Sequence, residues 1–145
     1  MSVLVVSELT IWLVLVSSLV ACSSETAPTC VDDLSLDCAP LYDPPTYQTI
    51  FERTLRPTCG SGRGTCHTSD AQKGGLVFED ADAAYGLLIG QDGHARVVPG
   101  DPACSVLMVR LESNSPSFRM PPGPEPLPAA ERCAIAKWIA DGAAR

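Results

Sequence analysis

The chain has no basic run. Its 10 Lys and Arg face 17 Asp and Glu, for a net charge of −7. Binding a polyanion requires a positive surface that displaces counterions, so nucleic acid is excluded as a partner. Anionic lipid headgroups are not drawn by charge either. The familiar catalytic patterns are missing as well: there is no Ser/His/Asp order, no paired-carboxylate motif and no phosphate loop. An enzyme is therefore not expected. Histidine is scarce, with only His67 and His94 in the chain. Strand periodicity is weak, and no internal repeat is visible.

What is present begins at the N-terminus. Val3 to Ala21 is almost wholly apolar and ends in Leu19-Val20-Ala21-Cys22. A short apolar stretch closing on small residues is a secretory signal pattern. Leu, two small or aliphatic residues and then Cys form a lipobox, in which the chain is cut before an acylated cysteine. Residues 1–21 are expected to be the signal, with Cys22 anchoring the mature chain in a lipid bilayer. Ser23, the next residue, resembles the sorting signal for the outer membrane, facing the periplasm or the outside. The n-region has no Lys or Arg, and Glu8 is its only charge, so an uncleaved spanning anchor is the competing expectation. Both place the domain outside the cytoplasm.

With Cys22 committed to lipid, Cys30, Cys38, Cys59, Cys66, Cys104 and Cys133 remain. An even number in an oxidising compartment points to disulfides, to thioether links with a prosthetic group, or to both. Metal thiolates are disfavoured there because oxidation competes for the sulfur. Cys30 and Cys38 bracket an acidic loop that a local bridge would close, and Cys59–Cys66 is a second local pair. Cys104 and Cys133 then remain for each other. Asp32, Asp33 and Asp37 lack the spacing and glycine turn of a calcium loop and read as solvated surface.

Residues 22–45 are rich in Pro, Asp and Thr and read as a tether with that acidic loop; residues 46–145 read as the folded domain. A first helix is expected from about Pro45 to Leu55, capped by Asp43 or Thr46, with Tyr47, Ile50, Phe51 and Leu55 on one face and Pro57 as its stop. The glycine-rich loop Cys59-Gly-Ser-Gly-Arg-Gly-Thr-Cys66-His67 follows. Gly74-Gly75 turns into a short extended piece, and a second helix spans about Asp80 to Leu88. Arg96 to Gly100 is extended. Asp101-Pro102 signals the start of a third helix, with Cys104, Leu107, Met108 and Leu111 on one face and Met108 as packing. A proline-rich loop runs from Asn114 to Pro128. A last helix runs to Ala140, burying Ile135, Trp138 and Ile139 and stopping at Gly142. The expected fold is a small all-α domain with long loops.

At Cys59, Cys66, His67 and Met120 the chain resembles a cytochrome c. Its ordered text, Cys66-His67, Gly74-Gly75-Leu76, Val98-Pro99-Gly100-Asp101, Arg119-Met120-Pro121-Pro122-Gly123 and Trp138-Ile139-Ala140-Asp141-Gly142, is similar to cytochrome c-like domains of myxobacterial and planctomycete lipoproteins. The resemblance covers about Tyr47 to Ala143. It implies haem c, joined covalently through Cys59 and Cys66, with His67 and Met120 as axial ligands to iron. It also implies single-electron transfer with an unidentified redox protein partner. In this family two residues separate the cysteines; here there are six. Loop closure cost grows only as the logarithm of length, and Gly60, Gly62 and Gly64 soften the loop, so two thioethers are physically permitted. Attachment through Cys66 alone is a further option. A Cys59–Cys66 disulfide in a haem-free structural or interaction lipoprotein is the competing reading, and zinc on Cys59, Cys66, His67 and His94 a third.

Overall fold

The computed structural model describes residues 29–61 and 65–145. The signal segment, Cys22, Gly62 and Gly64 lie outside the described residues. Four helical stretches carry the fold, and among the described residues there is no strand, only one isolated antiparallel bridge, Val98 to Asp101. The architecture is compatible with an all-α domain.

Helix α1 opens at Tyr47–Ile50, where the Thr46 hydroxyl accepts a hydrogen bond from the Thr49 amide at 3.3 Å. It does not stop at Pro57. It continues as a wider π-helical stretch over Phe51–Gly60 with Pro57 inside. In an α-helix the proline ring would strike the carbonyl four residues back. Widening the turn is one way a helix absorbs that clash.

Helix α2, Ala81–Leu88, starts where expected. Asp80 caps it through Oδ1, which accepts from the amides of Asp82 and Ala83 at 3.0 and 2.9 Å. Helix α3, Val106–Glu112, begins later than Asp101-Pro102 implies. Asp101 does cap the Cys104 amide at 3.0 Å, but that turn does not propagate. Ser105, fully buried, interrupts it: its hydroxyl donates to the Asp101 carbonyl at 2.7 Å and accepts from the Val98 amide at 2.8 Å. Cys104 therefore sits ahead of the helix. Helix α4, Ala129–Ala140, ends as the sequence implies, with Gly142 at φ 100°.

The core is the sum of these apolar faces. Tyr47, Ile50, Phe51 and Leu55 from α1 meet Ile135, Trp138 and Ile139 from α4, with Leu88 and Met108 completing the cluster. Helix α4 is the central element, packed on both α1 and α3. Tyr47 is the aromatic hub, its ring centroid 5.0 Å from Tyr85 and 5.5 Å from Trp138. Each polar tip finds a carbonyl, as buried amphipathic rings require: Tyr47 Oη donates to Ala81, Tyr85 Oη to Ala143 and Trp138 Nε1 to Ala144.

The bridges pair differently from the local scheme. Cys30 joins Cys104, and Cys38 joins Cys133. The segment from Cys30 to Leu41 lies across the approaches to α3 and α4, tied by hydrogen bonds from the Val31 amide to Ala103 O (2.8 Å) and from the Leu41 amide to Ala130 O (2.9 Å). Each of its cysteines thus meets the cysteine near one helix start, instead of its neighbour in sequence.

The loop between α3 and α4 contains six prolines from Pro116 to Pro128. Prolines donate no backbone hydrogen bond, so the loop has spare carbonyls. Three arginines meet them: Arg110 at Phe118, Arg119 at Gly123 and Arg132 at Leu127.

Candidate functional site

One ring of hydrogen bonds folds the cysteine loop back on itself. The His67 amide donates to the Cys59 carbonyl at 3.1 Å, the Phe78 amide to the His67 carbonyl at 2.8 Å, and the Lys73 amide to the Cys66 carbonyl at 2.9 Å. These bonds bring the end of α1, His67 and Phe78 together. Gly60 makes the closeness possible. A Cβ there would lie 2.6 Å from the Phe78 carbonyl oxygen and 2.7 Å from its Cβ. The glycine is required for space.

Beside this junction lies a cavity of about 690 Å³, within the range of about 300–1,000 Å³ usual for small-molecule and cofactor sites. Leu55, Leu76, Phe78, Leu107, Leu111 and Leu127 form its apolar walls, and Cys59, His67 and Met120 also line it. Three sequence-predicted site residues are therefore brought to one cavity. The fourth, Cys66, is half-buried and does not line it. Both Cys59 and Cys66 are free thiols, so the Cys59–Cys66 disulfide is not formed in this structure. The zinc arrangement is not assembled either: His94 is exposed, and no cluster of three or more His, Cys, Asp or Glu able to hold a metal occurs among the described residues.

His67 is a buried residue. It is 5% exposed, and its ring meets Phe78 edge-on at 5.3 Å. Its Nδ1 is buried without a hydrogen-bond partner. Burial lowers the imidazole pKa from its usual 6.5, and the backbone groups of Leu76 and Lys73 only partly oppose this. The ring is thus neutral at pH 7, the protonation state that a metal-ligating histidine needs. An unpaired buried nitrogen costs about 1–3 kcal/mol and is unusual enough to require a partner.

Burial also acts on Cys59. Its thiol is pushed up to about 12, first by desolvation and then by the negative charge that Cys66 and Glu131 would place nearby. A protonated thiol is a poor nucleophile. In the haem-free chain, alkylation of Cys59 at pH 8 is expected to be about a hundredfold or more slower than in the unfolded chain, as peptide mass mapping would read. The linked stability has a defined sign. Because the folded pKa lies above the unfolded value of 9.0, this contribution is complete below pH 9 and is lost as pH rises towards 12. Equal labelling rates in folded and unfolded chains would contradict the burial.

The polar part of the wall was not anticipated from sequence. Lys73, Arg96 and Arg110 line the cavity, with Asp92 as the single carboxylate among the described residues that line it. Arg96 is 8% exposed and held through Nη1 and Nη2. It donates to the Leu87 carbonyl at 2.9 Å, to both Asp92 oxygens at 2.6 and 2.7 Å and to the Gly74 carbonyl at 2.9 Å. The hydrogen bond from Arg96 holds the Asp92 carboxyl below its usual value. Gly75, at φ 69°, passes so close that a Cβ would meet Arg96 Nη2 at 3.1 Å. The Gly74-Gly75 pair therefore serves the cavity wall as well as a turn. An arginine leading the apolar Val97-Val98 pair was the available signal.

No curated protein and no solved structure matches the chain. A family model described as planctomycete cytochrome C matches residues 64–124. That stretch includes Cys66, His67 and Met120 and begins after Cys59. Together with the helical fold, the match supports a cytochrome c-like domain.

Proposed function

We propose that this chain is a lipid-anchored, exported electron carrier that holds haem c in the cavity beside His67. The observation that carries the reading is His67 itself: a buried, neutral imidazole with an unpartnered nitrogen, on an apolar wall shared with Met120 and the free thiol of Cys59. The donors on the wall fit the group: His67 and Met120 would hold its iron and Cys59 would take one thioether, while Cys66, outside the lining, would take the other from the adjoining loop. The cationic wall, on which Asp92 is already held by Arg96, would complement the group's own carboxylates. Haem, when bound, supplies a one-electron couple.

The chain's residues would govern that couple. The leucines and Phe78 would keep water from the group, a Met120 thioether together with His67 would favour a high potential, and burial would keep His67 free of a competing proton. Acylation at Cys22 would hold the domain at the envelope, within reach of a redox protein partner. The other reading is a haem-free structural or interaction lipoprotein. It draws on the two disulfides, which tie the fold together without any cavity residue.

Production of the mature chain in a host with haem-c maturation separates the two. The carrier is expected to be red, with a sharp reduced α-band, and to retain the mass of haem after denaturation. A colourless protein of unmodified mass would leave the haem-free reading.

A further inference from the structure

We infer that Arg110 is the positioning residue that keeps Met120 on the cavity wall. The consequence for ligation rests on the haem reading; the positioning itself does not. Met120 lies in a proline-rich loop whose Phe118 and Arg119 amides turn back to the Ser115 carbonyl at 3.0 and 2.7 Å, whereas the Met120 amide finds its acceptor outside the loop, on α3. Arg110, in the last turn of α3, supplies three contacts to this one segment. Its guanidinium carbon lies 3.7 Å from the Phe118 ring centroid. Its Nη1 donates to the Phe118 carbonyl at 3.0 Å. Its own carbonyl accepts the Met120 amide at 2.9 Å.

Among the described residues no carboxylate pairs with Arg110, in contrast to Arg96 and Arg132, which hold Asp92 and Glu112. Its charge is thus directed at an aromatic face, an attraction strengthened by partial burial. Helix α3 is itself fixed in the core by Met108 and Leu111. Arg110 therefore links a core-anchored helix to the proline-rich segment that carries Met120. Contacts of this kind govern a factor of about five or more in a local opening equilibrium.

Two measurements test it on the mature chain. In the haem-free protein, Arg110→Leu should accelerate hydrogen exchange of the Met120 amide about fivefold, while amides of α4 stay as protected as before. Arg110→Lys, which keeps a cation over Phe118, should restore much of the protection. Phe118→Ala removes the ring instead and should reproduce the Arg110→Leu result, which covers the case where that variant loses its fold. In the haem-loaded protein, Arg110→Leu should weaken the methionine–iron charge-transfer absorption and move the potential towards that of Met120→Ala.

Unchanged exchange at Met120 in both Arg110→Leu and Phe118→Ala would overturn the inference, with or without haem. So would a wild-type potential in Arg110→Leu alongside a shifted one in Met120→Ala. A colourless protein whose Met120 exchange still rises fivefold would sink the haem reading and support the positioning role.

Discussion

Replacing His67 by phenylalanine is expected to have opposite effects on the two forms of the protein. In the haem-loaded form it removes the only buried imidazole of the cavity, and the low-spin spectrum should disappear. In the haem-free form it removes a buried nitrogen without a partner. Such a group costs about 1–3 kcal/mol, so the variant should melt higher than the wild type. Phenylalanine is larger, but the adjoining cavity provides room for the added ring atoms. This opposition of signs is what separates a residue kept for chemistry from one kept for packing. A loss of stability in the haem-free chain, measured by thermal unfolding, would mean that the imidazole contributes to the fold and is not held there for chemistry.

The second large effect concerns the Cys38–Cys133 bridge. It spans a sequence separation of 95 residues, but with Cys30–Cys104 already closed the shortest loop it adds runs through that bridge, and closing it restricts the unfolded chain by about 4 kcal/mol in the chain-entropy model. The double variant Cys38→Ser, Cys133→Ala should therefore lose roughly 3–4 kcal/mol after partial offsets and melt about 10 °C or more below wild type. Cys133 is buried on α4 beside Ala134, so alanine there leaves only a small void. The paired variant Cys59→Ala, Cys66→Ala is the control, since those thiols are free, and it should melt within a few degrees of the wild type. A drop confined to the control would show that the functional bridge is the one at residues 59 and 66.

Local chemistry carried much of the fold in the sequence. Asp80 predicted the start of α2, the 3.6-residue spacing of Ile135, Trp138 and Ile139 predicted the buried side of α4, and Gly142 predicted its end; all three are local signals. Met108 read as packing and is fully buried. The differences arise where a distant partner decides. Asp101-Pro102 is a good helix start in isolation, but Ser105 ties that turn to Val98. Pro57 is a good stop, but α1 widens and passes it. Cys30 and Cys38 look like neighbours in sequence; their partners are chosen by the way residues 30–41 cross the helix starts.

The site divided along the same line. Cys59, His67 and Met120 were visible because sulfur and imidazole are rare and chemically distinctive, and the fold brings all three to one cavity. Lys73, Arg96 and Arg110 were not, because a cation in sequence carries no sign of which carbonyl, carboxylate or ring it will meet. The depth at which His67 is buried was likewise invisible: it depends on Gly60 allowing Phe78 to approach, a contact across 18 positions that no local pattern records.

None of the four bridged cysteines lines the cavity. The two bridges can therefore pin the 30–41 segment to the starts of α3 and α4 without engaging any residue of the pocket. The maturation apparatus would receive a finished body with a prepared opening, not a nascent strand, and the order of biogenesis would be covalent stapling first and cofactor delivery afterwards.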